Sequence, residues 1–185
     1  MTDNVRKINE ACKYAVEKHV NQKRKGKDVP YIVHPLEVMV ILYRMGADAE
    51  LIAAGVLHDT VEDTDATIKD IRALFGDGVA ELVAAHTEDK SLSWEERKEL
   101  SCKELITAPK RVQMLVLADK LSNIREMAQD MAKDGDNMWK RFKRGKDAQK
   151  WYYELGAECL KAMDNYNDTK WAYDEFEALV KEVFN

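Results

Sequence analysis

The chain has 185 residues and a mass of 21.3 kDa, which suits one compact domain with a substantial hydrophobic core. Hydrophobic residues make up 45% of it and charged residues 34%, with 8 glycines and 3 prolines, so disordered and collagen-like classes are excluded. With a net charge of −5, the chain has no overall electrostatic field that would attract nucleic acid or an acidic membrane. The sequence has neither a signal-like N-terminus nor a long apolar run. We therefore expect a cytoplasmic protein that meets anionic ligands through local basic residues.

Helical periodicity predicts the elements of the N-terminal half. A first helix is expected from about residue 3 to 19, followed by the polar, basic loop NQKRKGKDVPYIVHP. A second helix is expected over residues 36–45, with Pro35 near its first turn. Asp48 can cap a third helix, AELIAAGVLHDTVEDT, whose apolar first half predicts burial.

The C-terminal half is also predicted to be helical. Capping boxes at residues 67–70 and 93–96 mark two helix starts, and the segment VAELVAAHTEDK lies between them. The segment KRVQMLVLADKLSNIREMAQDM is apolar on all sides at its centre, which is typical of a central helix. Two more helices are expected over 146–163 and 168–184. With no period-two strand and no repeat, the sequence predicts an all-α single domain over 1–185.

The three cysteines are far apart in the sequence. Cys12, Cys102 and Cys159 are an odd number with no close pair, which fits neither a disulfide framework nor a thiolate zinc site. We expect them to be reduced.

The first candidate for chemistry is His58-Asp59-x-x-Glu62-Asp63, at the polar end of the predicted third helix. Residues four apart on a helix share a face, so the four side chains should form one patch. Three carboxylates beside an imidazole repel one another unless a cation neutralises them, which indicates a metal. A solvated helix end with a chance run of acids explains the same residues about as well.

Two further segments supply potential ligands. Asp119 lies in the apolar run MLVLADKL, where a buried carboxylate needs a metal or a basic side chain as its partner. Asn123 is one turn further along the same face. His34 stands where the basic loop meets a helix, and alone it would be read as a packed surface residue. Together, two imidazoles and two carboxylates make a donor set suited to Mn²⁺, Fe²⁺ or Zn²⁺.

Four segments, in this order and spacing, resemble a known family: QKRKGKDVPYIVHP, GVLHDTVEDT, HTEDKSLSWEERK and LVLADKLSNIREM. The resemblance is to the HD-domain phosphohydrolases, and within them to the hydrolase domain of the RelA/SpoT enzymes and the stand-alone small alarmone hydrolases. It implies an HD-type helical bundle, with the core motifs in 19–130 and C-terminal helices in 137–185. It also implies removal of the 3′-pyrophosphate from guanosine tetra- or pentaphosphate, giving GDP or GTP and pyrophosphate.

The resemblance implies a role for each matching residue. The metal ligands are His34, His58, Asp59 and Asp119, normally with Mn²⁺, although other divalent transition metals are compatible. Glu62 and Asp63 match the acids that orient and deprotonate the attacking water. The positions near the nucleotide are Arg24, Lys25 and Asn123. From the residues alone, Tyr152 is a further candidate to stack on the base, although aromatic side chains at this density usually pack helices together.

Several alternatives stay open at this point. The metal site would also suit a nucleotidase or another nucleotide phosphohydrolase, and a nucleotide-sensing module without catalysis would not need Glu62 and Asp63. A cyclic dinucleotide phosphodiesterase is disfavoured because the chain has no Gly-Tyr-Pro signature. The basic run over 140–146 is expected to be a solvated face, and His19 and His86 are expected to be structural. The sequence does not indicate an oligomeric state.

Overall fold

The computed structural model describes residues 2–87 and 91–185, and every regular element within these ranges is helical. The all-α prediction is confirmed. An isolated β-bridge joins Lys23 to Pro30 in the loop between the first two helices. The α-helices in chain order are α1 Asp3–Lys18, α2 Val33–Arg44, α3 Ala49–Leu57, α4 Thr60–Asp63, α5 Ile68–Phe75, α6 Asp77–His86, α7 Trp94–Thr107, α8 Lys110–Asp134, α9 Gly145–Cys159 and α10 Lys170–Phe184, with 3₁₀ turns at Gly135–Arg141 and Lys161–Asn165.

The capping residues explain where several helices begin. The side chain of Asp48 accepts a hydrogen bond from the backbone N–H of Leu51 at the start of α3. Reciprocal capping boxes, as predicted, open α5 at residues 67–70 and α7 at residues 93–96. Each cap satisfies backbone N–H groups that have no partner inside the helix.

Helices α3 and α8 form the centre of the molecule. All residues of α3 from Leu51 to Leu57 are buried, as the apolar pattern predicted. Helix α3 packs against α1, α2, α6 and α8, and α8 packs in turn against α2, α6 and α10. Because α2, α3 and α8 meet in this core, the side chains at their polar ends converge on one place.

The predicted third helix is wrong at its C-terminal end, because α3 stops at Leu57 and a turn at His58 and Asp59 separates it from α4. His58 Nδ1 lies 2.7 Å from the carbonyl oxygen of Gly55, and the Thr60 hydroxyl donates a 2.7 Å hydrogen bond to the carbonyl oxygen of Leu57. Each side chain thus occupies a carbonyl oxygen that would accept a backbone N–H if the helix continued. The interruption places Asp59 at a corner, facing a cavity.

Gly55 allows α3 and α2 to approach closely. A Cβ atom at Gly55 would lie 2.4 Å from Leu42 Cδ1 and 3.4 Å from Val38 Cγ1, and both neighbours are fully buried. We expect Gly55→Ala to lower the free energy of unfolding by about 1–3 kcal/mol through overpacking. Urea denaturation measures this change, and stability equal to that of the parent protein would mean that Leu42 moves aside freely.

The two C-terminal helices are shorter than predicted. Helix α9 ends at Cys159 and a 3₁₀ turn follows, whereas the prediction ran on to 163. Helix α10 begins at Lys170, two residues later than predicted. The buried Thr169 hydroxyl donates a 2.7 Å hydrogen bond to the carbonyl oxygen of Met163, which fixes the connection between them.

The prediction of three reduced cysteines is wrong for two of them. Cys102 of α7 and Cys159 of α9 form a disulfide with a Cα–Cα distance of 5.6 Å, and Cys12 is free. The two cysteines are 57 residues apart, so the sequence pattern does not predict that they pair. They meet because α7 and α9 pack side by side.

We expect reduction of the disulfide to lower the free energy of unfolding by about 4 kcal/mol, from the loop entropy that closing such a ring removes from the unfolded chain. Urea denaturation with and without dithiothreitol measures this difference. A Cys102→Ala/Cys159→Ala variant is the control and should not respond to the reductant. Equal stability of the oxidised and reduced parent protein would contradict the expectation.

No helix among the described residues is both long and apolar enough to cross a membrane.

Candidate metal centre and active site

Four predicted ligands converge in the structure from two helices and one turn. His34 is in the first turn of α2, His58 and Asp59 form the turn after α3, and Asp119 is in the middle of α8. His34 Nε2 lies 3.1 Å from Asp119 Oδ1, and His58 Nε2 lies 2.9 Å from Asp59 Oδ2. The two crossed distances, His34 to Asp59 and His58 to Asp119, are 3.6 and 3.7 Å. All four side chains therefore surround one point.

The other nitrogen of each imidazole is already occupied. His34 Nδ1 lies 2.9 Å from the Ser122 hydroxyl oxygen, and that hydroxyl donates to the Glu37 carboxylate over the same distance. Ser122 thus accepts from the His34 Nδ1–H. His58 Nδ1–H donates to the Gly55 carbonyl oxygen. Both rings consequently present the Nε2 lone pair to the cluster, which is the arrangement of metal-ligating histidines.

The two carboxylates are held by neutral hydrogen-bond donors. The Tyr31 hydroxyl donates to Asp59 Oδ2 at 2.5 Å, and the Asn123 amide donates to Asp119 Oδ1 at 2.7 Å. Burial, followed by the neighbouring Asp59 carboxylate, raises the pKa of Tyr31, so its hydroxyl stays protonated as a donor. The same oxygen of each carboxylate also faces the two imidazoles.

The charges of the cluster depend on one another. Burial opposes ionisation of Asp59 and Asp119, but contacts with the imidazoles outweigh it and hold both carboxyl pKa values below their usual range. Burial likewise opposes protonation of His58, but the carboxylates raise the pKa of its imidazole. A cation would replace the imidazole protons as the partner of the carboxylates. His58 Nε2 is buried and lies 2.9 Å from Asp59 Oδ2, but it forms no hydrogen bond of good geometry among the described residues, so this donor set fits a divalent metal ion.

His86, at the end of α6, belongs to the same cluster. Its ring lies 5.0 Å from that of His58, and potential ligand atoms of His58, His86 and Asp119 lie within 4.8 Å of one another. Burial lowers the pKa of His86 to about 4, and the cationic forms of His58 and Lys120 act in the same direction. The sequence predicted only a structural role for His86, because nothing in its local pattern indicates that the end of α6 reaches α8.

A cavity of about 580 Å³ opens beside the cluster, which is a suitable size for a small organic ligand. Its walls come mainly from α4, α7, α8 and α9. The predicted residues on its lining are His34, Asp59, Glu62, Asp63, Asp119, Asn123 and Tyr152. Lys98, Lys120 and the Cys102–Cys159 disulfide also line it, although none of them was a predicted site residue.

Arg24 and Lys25 are not on the lining of this cavity. The Arg24 guanidinium pairs with Glu126 and donates a 2.7 Å hydrogen bond to Asn123 Oδ1, and its side chain is 12% exposed. Asn123 in turn contacts Asp119, so Arg24 reaches the cluster through Asn123. The Lys25 ammonium lies 5.0 Å from the Phe142 ring centroid. Burial and the neighbouring cations Lys143 and Arg141 lower the pKa of Lys25.

Several members of the basic run at 140–146 have acidic partners. Arg141 pairs with Asp130, Arg144 with Glu95 and Lys146 with Asp136. The motif segment at residues 88–90, inside the predicted HTEDKSLSWEERK sequence, lies outside the described residues.

The model of the HD domain family matches residues 11–147. That range contains the four converging side chains and the acidic pair that follows them. The chain therefore belongs to the HD-domain family, and it is a metal-dependent phosphohydrolase of this type, as the sequence predicted.

Two relatives of this chain have names that state an enzymatic activity. The chain is 41% identical over 121 residues to guanosine-3′,5′-bis(diphosphate) 3′-pyrophosphohydrolase MESH1 of Danio rerio, which is 64% of this chain and 67% of that protein. It is 41% identical over 123 residues to guanosine-3′,5′-bis(diphosphate) 3′-pyrophosphohydrolase of Aquifex aeolicus, which is 65% of this chain but only 18% of that longer protein. These matches confirm the resemblance to the alarmone hydrolases.

Two solved structures share the fold. The crystal structure of lmo0812 from Listeria monocytogenes EGD-e superimposes with a TM-score of 0.73 at 43% identity, covering 82% of this chain and 98% of that one. A structure described as a metazoan ortholog of SpoT that hydrolyses ppGpp gives a TM-score of 0.77 at 29% identity, covering 95% and 94%.

Proposed function

We propose that this protein removes the 3′-pyrophosphate from guanosine tetraphosphate or pentaphosphate, with Mn²⁺ as its metal, giving GDP or GTP and pyrophosphate. The observation that carries the proposal is that the two imidazoles and two carboxylates converge at the wall of a nucleotide-sized cavity that Glu62 and Asp63 also line. The relatives named for this reaction support the choice of substrate.

The ligand set is proposed to be His34, His58, Asp59 and Asp119. A divalent metal bound there supplies a Lewis acid that polarises a phosphoryl oxygen and lowers the pKa of a water molecule. Tyr31 and Asn123 orient the two carboxylates, and Ser122 orients His34. Such supporting contacts commonly change metal affinity or activity by about 10- to 100-fold when they are removed.

Glu62 and Asp63 are proposed to take the proton from the attacking water. Both belong to α4, which begins directly after the turn that carries His58 and Asp59. The Gln22 side-chain amide donates a 2.6 Å hydrogen bond to the backbone carbonyl of Asp63, which ties the basic loop to this short helix. Carboxylates held close to a reacting centre are suitable general bases.

The nucleotide is proposed to occupy the cavity, where Tyr152 and Asn123 are among the residues that contact it. Arg24 acts on this site through its hydrogen bond to Asn123, and Lys25 adds positive charge to the surrounding surface. We further propose that residues 1–185 act as one hydrolase domain in the cytoplasm, without nucleic acid or a membrane as partner.

Incubation with guanosine tetraphosphate and Mn²⁺, with an EDTA control and anion-exchange separation of the products, tests the proposal. We expect GDP and pyrophosphate only in the sample with metal. Intact guanosine tetraphosphate together with hydrolysis of a different nucleotide in a panel would replace this proposal with the nucleotidase alternative.

A further inference from the structure

Lys120 is a cation in an unusual position. It follows Asp119 on α8, is 6% exposed and lines the cavity. Buried lysines normally pair with an acid, as the partly buried Lys27 does with Glu126 and Asp130. Within residues 2–87 and 91–185, no carboxylate forms an ion pair with Lys120 and no hydrogen bond of its ammonium is found; its contacts there are with aromatic rings.

The opposite helix is shaped to hold this side chain. The Lys120 ammonium lies 3.8 Å from the centroid of the Tyr152 ring on α9. One turn later, a Cβ atom at Gly156 would lie 3.1 Å from both Cδ and Cε of Lys120. Residues four apart on a helix share a face, so Tyr152 and Gly156 together form a slot for the lysine stem. The slot fixes where the ammonium points.

A second ammonium lies on the same ring. Lys98 of α7 also lines the cavity, and its Nζ is 4.7 Å from the Tyr152 centroid. Lys98 and Lys120 thus place two ammonium groups on one wall of the cavity, where both can attract a ligand anion. Lysine ammonium groups bind phosphate oxygens as point charges.

We infer that Lys120 and Lys98 form an anion subsite on Tyr152 that binds the pyrophosphoryl group of the substrate beside the metal centre. The inference rests on the proposed function for the identity of the substrate. Its chemistry requires only a pyrophosphoryl anion in this cavity, so it can be tested separately from turnover.

The test is calorimetric titration of the full chain, loaded with one equivalent of Mn²⁺, with inorganic pyrophosphate. Elemental analysis before and after the titration verifies that the metal stays bound. We expect Lys120→Met to weaken pyrophosphate binding about tenfold, which corresponds to about 1.4 kcal/mol, and Lys120→Arg to recover most of the affinity. Pyrophosphate binding by Lys120→Met equal to that of the parent protein would overturn the inference.

Lys110→Met is the matched control. Lys110 is also on α8 and its ammonium lies 4.3 Å from the Tyr166 ring centroid, but it pairs with Asp168 and is not on the cavity lining. Its substitution should leave pyrophosphate affinity unchanged. If thermal denaturation shows that Lys120→Met does not fold, Lys98→Met provides the second test, with weaker binding expected and unchanged binding contradicting the subsite.

Turnover of guanosine tetraphosphate separates the two proposals. Lys120-dependent pyrophosphate binding without hydrolysis of this nucleotide would keep the subsite and reject the proposed substrate. Hydrolysis with unchanged KM and unchanged pyrophosphate affinity in Lys120→Met would reject the subsite and keep the substrate.

Discussion

Asp119→Ala is expected to lose bound Mn²⁺ and to reduce turnover at least about a thousandfold. Asp119 contacts both His34 and His58, so its removal takes away one ligand and the charge that balances the imidazoles. Metal stabilisation of transition-state charge is worth several kcal/mol, and about 1.4 kcal/mol corresponds to a tenfold change in rate. Elemental analysis of the dialysed protein and a steady-state assay measure the two effects.

Asp130→Ala is the matched control for this variant. Asp130 is another buried carboxylate of α8, but its partners are Lys27 and Arg141 rather than histidines. It should retain stoichiometric Mn²⁺ even if its stability falls. Stoichiometric Mn²⁺ in Asp119→Ala would contradict the proposed ligand set.

The double variant Glu62→Gln/Asp63→Asn should bind Mn²⁺ normally and lose turnover. These amides keep the size of the side chains but cannot accept a proton from water at neutral pH. General acid–base catalysis contributes roughly 10²- to 10⁴-fold, and we expect a loss of this size in kcat.

The single variants Glu62→Gln and Asp63→Asn show which of the two acids acts as the general base. Single-turnover measurements at saturating Mn²⁺ exclude an effect on metal loading, and a calorimetric Mn²⁺ titration provides the control. Normal turnover by the double variant would reject both residues as the base. Loss of bound Mn²⁺ together with turnover would indicate that Glu62 and Asp63 are metal ligands rather than the base.

The sequence was most informative where a local pattern has a local cause. Capping boxes at residues 67–70 and 93–96 mark helix starts because the side chains that form them are three residues apart. Helix α3 and the centre of α8 are recognisable because apolar residues cover every side of them. The ordered motifs also indicated which side chains would converge, although the assignment of the ligands stays a proposal.

The sequence was less informative where a contact joins distant segments. Lys120 becomes notable only because Gly156 and Tyr152 of α9 lie beside it. His86 becomes notable only because α6 ends against His58. The end of α3 was missed because side-chain hydrogen bonds to its last carbonyls compete with the helical pattern.

The Cys102–Cys159 bond has a consequence for the cavity wall. Leu105 is the only buried residue of α7, and Trp94 adds contacts with the rings of Trp151 and Tyr152 on α9. The covalent bond to α9 adds to these contacts. In a reducing compartment the two sulfurs are kept as thiols. Helix α7 is then held to α9 by noncovalent contacts only. Reduction would thus remove the one covalent link between α9 and the helix that carries Lys98.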